Sequence, residues 1–572
     1  QQTNEAEPLL FSEVKKNSMA RQIEMVSIES FETAELSELE KSIPLSFSKL
    51  IKETPEILFK NTSQRKELYL VYSFIPLVIE RGEIRKITNF KLRVEYSANA
   101  VPKNNAKSYV TNSALASGDW YKMGVVSEGV YKVDYNFLAD LGIDMDSLDP
   151  RSIHIYGNGA GLLGENNASF RPDDLMKNAS SFIGNDLDGS FDSDDYLLFY
   201  GNGAHRIEHT GSELHHVLNH YSDTSFYFIH VDASESPKRV MNQTQSTNLP
   251  NQIVTTFNDY LYSEAERFNF WESGREWYGD RYNSLNDSYT YNFSVPNITA
   301  DSVKLVTKLA SRSTTNCNFT ISTSGISETI TLSSLPPSSY DYASLRTSTI
   351  YLENAPSSIV VNVNYGHAGS ITAEGFMDVL ELNVRRNLIM VGNSLKFQDI
   401  NSIGVGQVAE FQLTNAAQVS AIWDITNHHE VSSIDYTDLS STKTFVVNTD
   451  SLRQFIALTD NAGKVPIGYG QVMNQNLHAL GYADLILISP PLLLSHANDL
   501  AAFHRDRGTS VHVVTPEEIF NEFSSGMRDG TAIRHFLRMF YQRAGTDPTM
   551  IPKHLLLFGD GSYDNKGKIN AN

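Results

Sequence analysis

The chain has 572 residues, 41% of them hydrophobic and 10% aromatic, an ordinary globular composition on a length too great for one core. Acidic residues outnumber Lys and Arg by 67 to 46, a net charge of -21, so nucleic acid and anionic membranes are poor partners. No apolar run is long enough to span a bilayer, and the opening QQTNEAEPLL lacks the regions of an export signal, so any such signal is expected to have been removed.

In chain order, five units are expected. Residues 1–111 read as a β-rich unit, with strands at Leu68–Ile79 and Ile84–Tyr96 around a turn at Glu80–Glu83, then a polar linker at Ser97–Asn112. Residues 112–250 read as a mixed β unit with two similar strand-to-turn pieces, IYGNGAG at Ile155 and FYGNGAH at Phe199. Their Gly-Asn-Gly turns call for positive φ. Residues 251–385 carry seven runs of alternating apolar and polar residues, the pattern of a β-sandwich. Residues 386–475 continue as β, with QVAEFQL, SAIWDI and TFVVN.

Residues 476–572 change character. Ala483–Ser489 is an apolar strand, Leu492–Arg507 a helix closed by Gly508, and Ser510–Val514 a β-branched strand. Thr515, Pro516 and Glu518 make a capping box for a second helix. Thr531–Ala544 is a third helix, and His554–Phe558 a third strand running into Gly559-Asp560-Gly561. Strands alternating with helices imply a parallel sheet, whose chemistry gathers at the carboxyl ends of its strands. The fold class is therefore multi-domain and mainly β, followed by the start of an α/β domain.

Several constellations carry possible chemistry. Asp186, Asp188, Asp192 and Asp195 surround Gly189 in a partial match to a calcium loop, with an Asp-rich turn as the plain alternative. His205, His209, His215, His216 and His220 crowd one stretch. A zinc site would need a helix there, which Gly203 and Gly211 weaken, so a polar loop is expected. Cys317, the one cysteine, sits in an alternating β pattern with nothing nearby to lower its pKa, so a passive core thiol is expected. In Glu272–Tyr278 (ESGREWY), Arg275 is expected to pair with Glu272 or Glu276, packed by Trp271 and Trp277, as a clamp between domains. His535 lies beside a helix's apolar face and His554 at the amino end of its strand, so neither is a convincing base. No P-loop, dinucleotide fingerprint, G-x-S-x-G or H-E-x-x-H occurs.

The stretch TPEEIFNEFSSGMRDGTAIRHFLRMFYQRA, followed by HLLLFGDGSYDN, resembles the opening of the catalytic domain in gingipain-like cysteine peptidases. SEGVYKV, IYGNG, RPDDL, DGSFDSDDYLLFYGNG and ESGREWY resemble segments of that family's cell-surface sortases. The resemblance implies a caspase-like α/β domain with a Cys nucleophile and a His outside these 572 residues. Asp560 would then orient the catalytic His. It implies removal of C-terminal sorting domains from type IX-secreted cargo and transfer of the cargo to anionic lipopolysaccharide. It also implies a place on the outer membrane of a Bacteroidetes cell, beside a PorV-like β-barrel and the remainder of the catalytic domain. No cofactor for catalysis is implied; calcium would be structural. The alternative is a β-rich surface scaffold with a degenerate α/β tail.

Overall fold

The computed structural model describes residues 10–569 except 18–20, 42–49, 101–108, 160, 271, 273 and 340. The centre of the expected linker, and Trp271, lie outside the described residues.

Strands dominate. The first unit holds two three-stranded antiparallel sheets over a core of Ile23, Val26, Leu70, Tyr72 and Phe74. The strand expected over Leu68–Ile79 is two strands, Glu67–Phe74 and Leu77–Glu80, in different sheets. Pro76 lacks the amide a continuous ladder needs, which explains the break. Strand Leu58–Gln64 joins Glu67–Phe74 through Arg65 and Lys66, both left-handed at φ 49° and 64°.

The second unit is built on a five-stranded sheet in the order Lys177–Asn178, Ile153–Tyr156, Ser225–Val231, Asp119–Val125, Ile467–Val472. Its outer strand thus comes from more than 300 residues downstream of its neighbour, since Val472 pairs with Trp120. The sandwich follows, and all seven alternating runs are strands. In Ser358–Gly366 the residues Ile359, Val361, Val363 and Tyr365 point inward and every neighbour outward, the period of two expected of a half-buried strand. In a further pair of sheets, Phe397, Phe411, Phe445 and Phe455 pack ring on ring.

In the tail, strand Leu485–Ile488 is central, with Val511–Val514 and His554–Leu557 parallel to it on either side. Ile486 and Ile488 face the helices Pro516–Phe523 and Thr531–Arg543, where Ile519, Phe523, Phe536 and Phe540 are buried. Leu485 and Leu487 face the helix Leu494–Arg505 through Ala497 and Ala501. A strand covered on both faces reads as a continuous apolar run, which is why ADLILIS was legible. The Thr515 capping box is complete, with the Thr515 hydroxyl accepting from the Glu518 N–H and the Glu518 carboxylate from the Thr515 N–H. No helix among the described residues is long and apolar enough to cross a membrane.

Candidate functional site at the carboxyl edge of the parallel sheet

The three strands end at Ile488, Val514 and Leu557, and their continuations form one edge. Ser489 is fully buried there and donates its backbone N–H to the Val514 carbonyl at 3.0 Å. Gly559 takes φ 142°, which a side chain rarely adopts, and turns the chain over Pro490. Asp560 follows, exposed, its Oδ1 accepting the Gly561 N–H at 2.8 Å. Asp564 is buried, its two oxygens accepting the Lys568 and Ile569 N–H groups at 2.7 Å each, and so fixes its own turn. His554 lies exposed at the opposite end of its strand. His535 is buried in its helix, and burial holds its imidazole below the usual range. Among the described residues Asp560 is thus an exposed carboxylate just past the third strand, while Glu517, exposed just past the second, is paired with Lys122 at 3.1 Å.

The edge is held by residues from distant units. Lys566, in the loop after the third strand, has a buried side chain paired with the carboxylates of Glu266 and, at 2.7 Å, Asp223. Lys568 reaches the second Asp223 oxygen at 2.5 Å, and His205 lies 3.5 Å from the first. Burial works to raise the Asp223 carboxyl, but the hydrogen bonds from His205, Lys566 and Lys568 outweigh it and hold the group well below the usual range. Lys122, on Asp119–Val125, reaches Glu517, Asn521 and the Gly526 carbonyl at the helix Pro516–Phe523. The fully buried Asp529 accepts the N–H groups of Leu163 and Thr531, and Asn158 donates its N–H to the Ser525 hydroxyl. His478 and Glu522 form a fully buried pair, with the far ring nitrogen on the Asp173 carbonyl.

The expected site residues are placed as follows. The four acidic residues around Gly189 do not converge: Asp188 accepts from Asn185 Nδ2 and the Ser190 N–H, and Asp195, buried, accepts from the Asn185 and Asp192 N–H groups. Among the described residues no group of three or more His, Cys, Asp or Glu is arranged to hold a metal ion. These residues do not fit a calcium cage; they form a self-bonded turn. Within the histidine stretch, where a loop was expected, His209, His215 and His216 lie on a β-hairpin, Arg206–Thr210 with Glu213–Val217, while His205 and His220 flank it. His216 leaves it to pair with Glu264 and stack on Tyr262. Arg275 pairs with Glu165, not with Glu272 or Glu276, because the Glu276 carboxylate takes the Tyr342 hydroxyl. Its loop does meet the tail, through Asn565 Nδ2 on the Gly274 carbonyl at 3.3 Å. Cys317 is fully buried in the sandwich core. Gly159 has the expected positive φ of 82°; Gly201 and Gly203 do not. Gly203 is required by close approach instead, since a Cβ would lie 2.9 Å from the Ser127 Cα. The Lys566–Glu266 and His478–Glu522 pairs have no signal in the sequence, because partners 300 and 44 positions apart share no spacing rule.

Residues 478–571 match the model of Peptidase family C25. The chain shares its fold with the dimeric latent PorU of Porphyromonas gingivalis, at TM-score 0.68 and 24% identity, over 80% of this chain and 43% of that one. It therefore spans less than half of that protein's length. A CBM36-1 domain of a xylanase from the hindgut metagenome of Trinervitermes trinervoides aligns at TM-score 0.15 and 11% identity, over 22% of this chain and 95% of its own. The insecticidal delta-endotoxin Cry8Ea1 of Bacillus thuringiensis aligns at TM-score 0.18 and 10% identity, over 42% and 43% of the two chains. Likenesses that low carry no structural argument. No curated protein matches the sequence.

Proposed function

We propose that this chain is the amino-terminal portion of a cell-surface cysteine endopeptidase of the gingipain type, acting as a sortase. The observation that carries the reading is the parallel sheet itself. Residues that match a C25 peptidase model form it, and β units whose fold is that of PorU hold its carboxyl edge. The reaction is removal of the C-terminal sorting domain from type IX-secreted cargo, followed by joining of the new carboxyl end to anionic lipopolysaccharide. A thiolate attacks the scissile carbonyl and expels the sorting domain's amine, and the acyl-enzyme then passes the cargo to an acceptor amine. Within this chain Asp560 is the candidate for orienting the histidine that moves the proton, since it is an exposed carboxylate just past the third strand and in no ion pair among the described residues. Cys317 has no part in it, being closed inside the sandwich. The partner that holds the enzyme at the surface is a PorV-like outer-membrane β-barrel, met by the β units and captured with them when both are co-expressed.

The test is cleavage of a cargo protein carrying its sorting domain by a longer protein that contains this chain. Release of the sorting domain is expected, blocked by a thiol alkylator and retained in Cys317→Ala. Asp560→Asn is expected to lower kcat by about 10²–10⁴, the range of a general acid–base contribution. Release that survives alkylation would defeat the cysteine mechanism.

A further inference from the structure

An opening of about 600 Å³ runs along one side of the sandwich, between residues 260–263 of one sheet and 290–293 of the other. These belong to the outer strands Thr256–Glu264 and Ser288–Ser294. On the opposite side the outer strands Ser344–Leu352 and Ile326–Leu332 are joined, the Ser348 hydroxyl donating to the Glu328 carboxylate at 2.9 Å. The sandwich is thus tied on one side and open on the other.

Among the described residues Ser288–Ser294 pairs with one strand, Ser358–Gly366, in unbroken register. Tyr365 donates its N–H to the Asp287 carbonyl and Val295 its N–H to the Ser357 carbonyl, each at 2.7 Å. With a period of two, the odd-numbered residues carry that ladder, and the N–H and C=O groups of Ser288, Thr290, Asn292 and Ser294 point to the open side. All four residues are exposed. Outer strands are commonly blunted by charge, proline or a bulge. SYTYNFS has none of these, and among the described outer strands of seven or more residues it is the one without a charged residue. The facing strand Thr256–Glu264 is blunted: its Asp259 carboxylate takes the Tyr260 N–H at 2.8 Å. An addition therefore belongs to Ser288–Ser294.

A row of alternating N–H and C=O groups is matched in full by another strand. The opening carries no charged side chain, so a charge on an entering segment would go unpaired there. The segment's inner side chains would lie on Leu261, Tyr291 and Phe293 at the rim of the sandwich core, and its outer ones in water beside Thr290 and Asn292. We propose that the open side takes up an extended polypeptide segment as an added strand on Ser288–Ser294, uncharged and alternating apolar with polar residues. The surface is separate from the sheet edge and does not depend on the reaction proposed above.

The full chain is titrated with a blocked heptapeptide alternating valine with threonine, with the same peptide carrying lysine in place of valine, and with the first peptide N-methylated at alternate residues. Saturable binding of the first alone is expected, and it should slow amide hydrogen exchange at Ser288, Thr290, Asn292 and Ser294 about tenfold or more. Thr290→Pro removes one donor on the open side and spares the odd-numbered ladder, so it should weaken binding about tenfold, the loss of one backbone bond. Thr290→Ala keeps that donor and should bind as the wild type does. Ser288→Pro, at the end of the strand, repeats the test if Thr290→Pro does not fold. No binding of the alternating peptide, equal binding of its N-methylated form, or unchanged exchange at those four amides overturns the proposal. Slowing of the same amides by rising chain concentration without peptide would make the occupant a second copy, and overturns it as well.

Discussion

Both ring nitrogens of His478 face oxygens: Nδ1 lies 2.5 Å from Glu522 and Nε2 2.7 Å from the Asp173 carbonyl. Each must carry a hydrogen, so the buried ring is an imidazolium stacked on Phe523. Burial works against that charge, but Glu522 and Asp174 outweigh it and raise the pKa above 6.5. A raised histidine contributes stability that is complete below its unfolded value and lost as pH rises through the folded one. Asp174, raised chiefly by burial, pushes in the same direction, since the fold holds its proton longer than the unfolded chain does. The melting temperature of the wild type should therefore fall as pH rises above 6.5. His478→Ala should lose about 3–5 kcal/mol by leaving the buried Glu522 unmatched, and should flatten that dependence. Denaturant melts across pH check both, and a pH-independent wild type would contradict the imidazolium. Residue-scale chemistry of this kind was the least legible in the sequence. Asp560 could be placed at a strand end because its flanking glycines mark a turn, whereas Arg275 was given the wrong partner because its neighbours in sequence are not its neighbours in space.

Elements whose signals are local were read well. The Thr515 cap, the three tail helices and the seven sandwich strands follow from spacing, cap chemistry and alternation within a dozen residues. The misreadings came where two local signals compete. Gly203 and Gly211 argue against a helix in the histidine stretch and so favour a loop, but Gly211 is also a turn residue between two strands, and only pairing across the turn decides it. The apolar run through Pro76 read as one strand until the missing amide broke it. One element remains under-covered. Strand His554–Leu557 is an outer strand of the sheet, with Leu555 and Leu557 at 42% and 59% exposure. Lys66 and Arg65 of the first unit brace the chain leading into it, through the carbonyls of Gly545, Ile551 and Pro552. Without these braces and the Lys566 pairs, a three-stranded parallel sheet with an apolar edge is a template for aggregation. Residues 483–569 expressed alone should give aggregated or molten material by light scattering and near-UV circular dichroism. A monomeric fragment with a cooperative melt would contradict the dependence on the β units.

At the scale of the whole molecule, the architecture was legible as a class, β units ahead of an α/β tail, but its wiring was not. The strand Ile467–Val472 closes a sheet begun at Asp119–Val125, and Gln252–Val254 pairs in parallel with Val408–Leu413. Such pairings are chosen by long-range packing and leave no trace in local periodicity. The wiring makes the tail depend on the rest. Its edge is built by Asp223, Glu266 and Gly274, and its helices are pinned by Lys122, Asn158 and Asp173. This is how β units hold the edge of the parallel sheet in place, and under the proposed function the reactive thiol lies elsewhere than the sandwich. An electrophilic peptide probe reacts with an activated cysteine and spares a buried one. Such a probe is applied to the longer protein that contains this chain, and the labelled peptide is located by mass spectrometry. The account predicts label on a cysteine outside residues 1–572 and none on Cys317, with labelling lowered in Asp560→Asn. Label on Cys317 would contradict it.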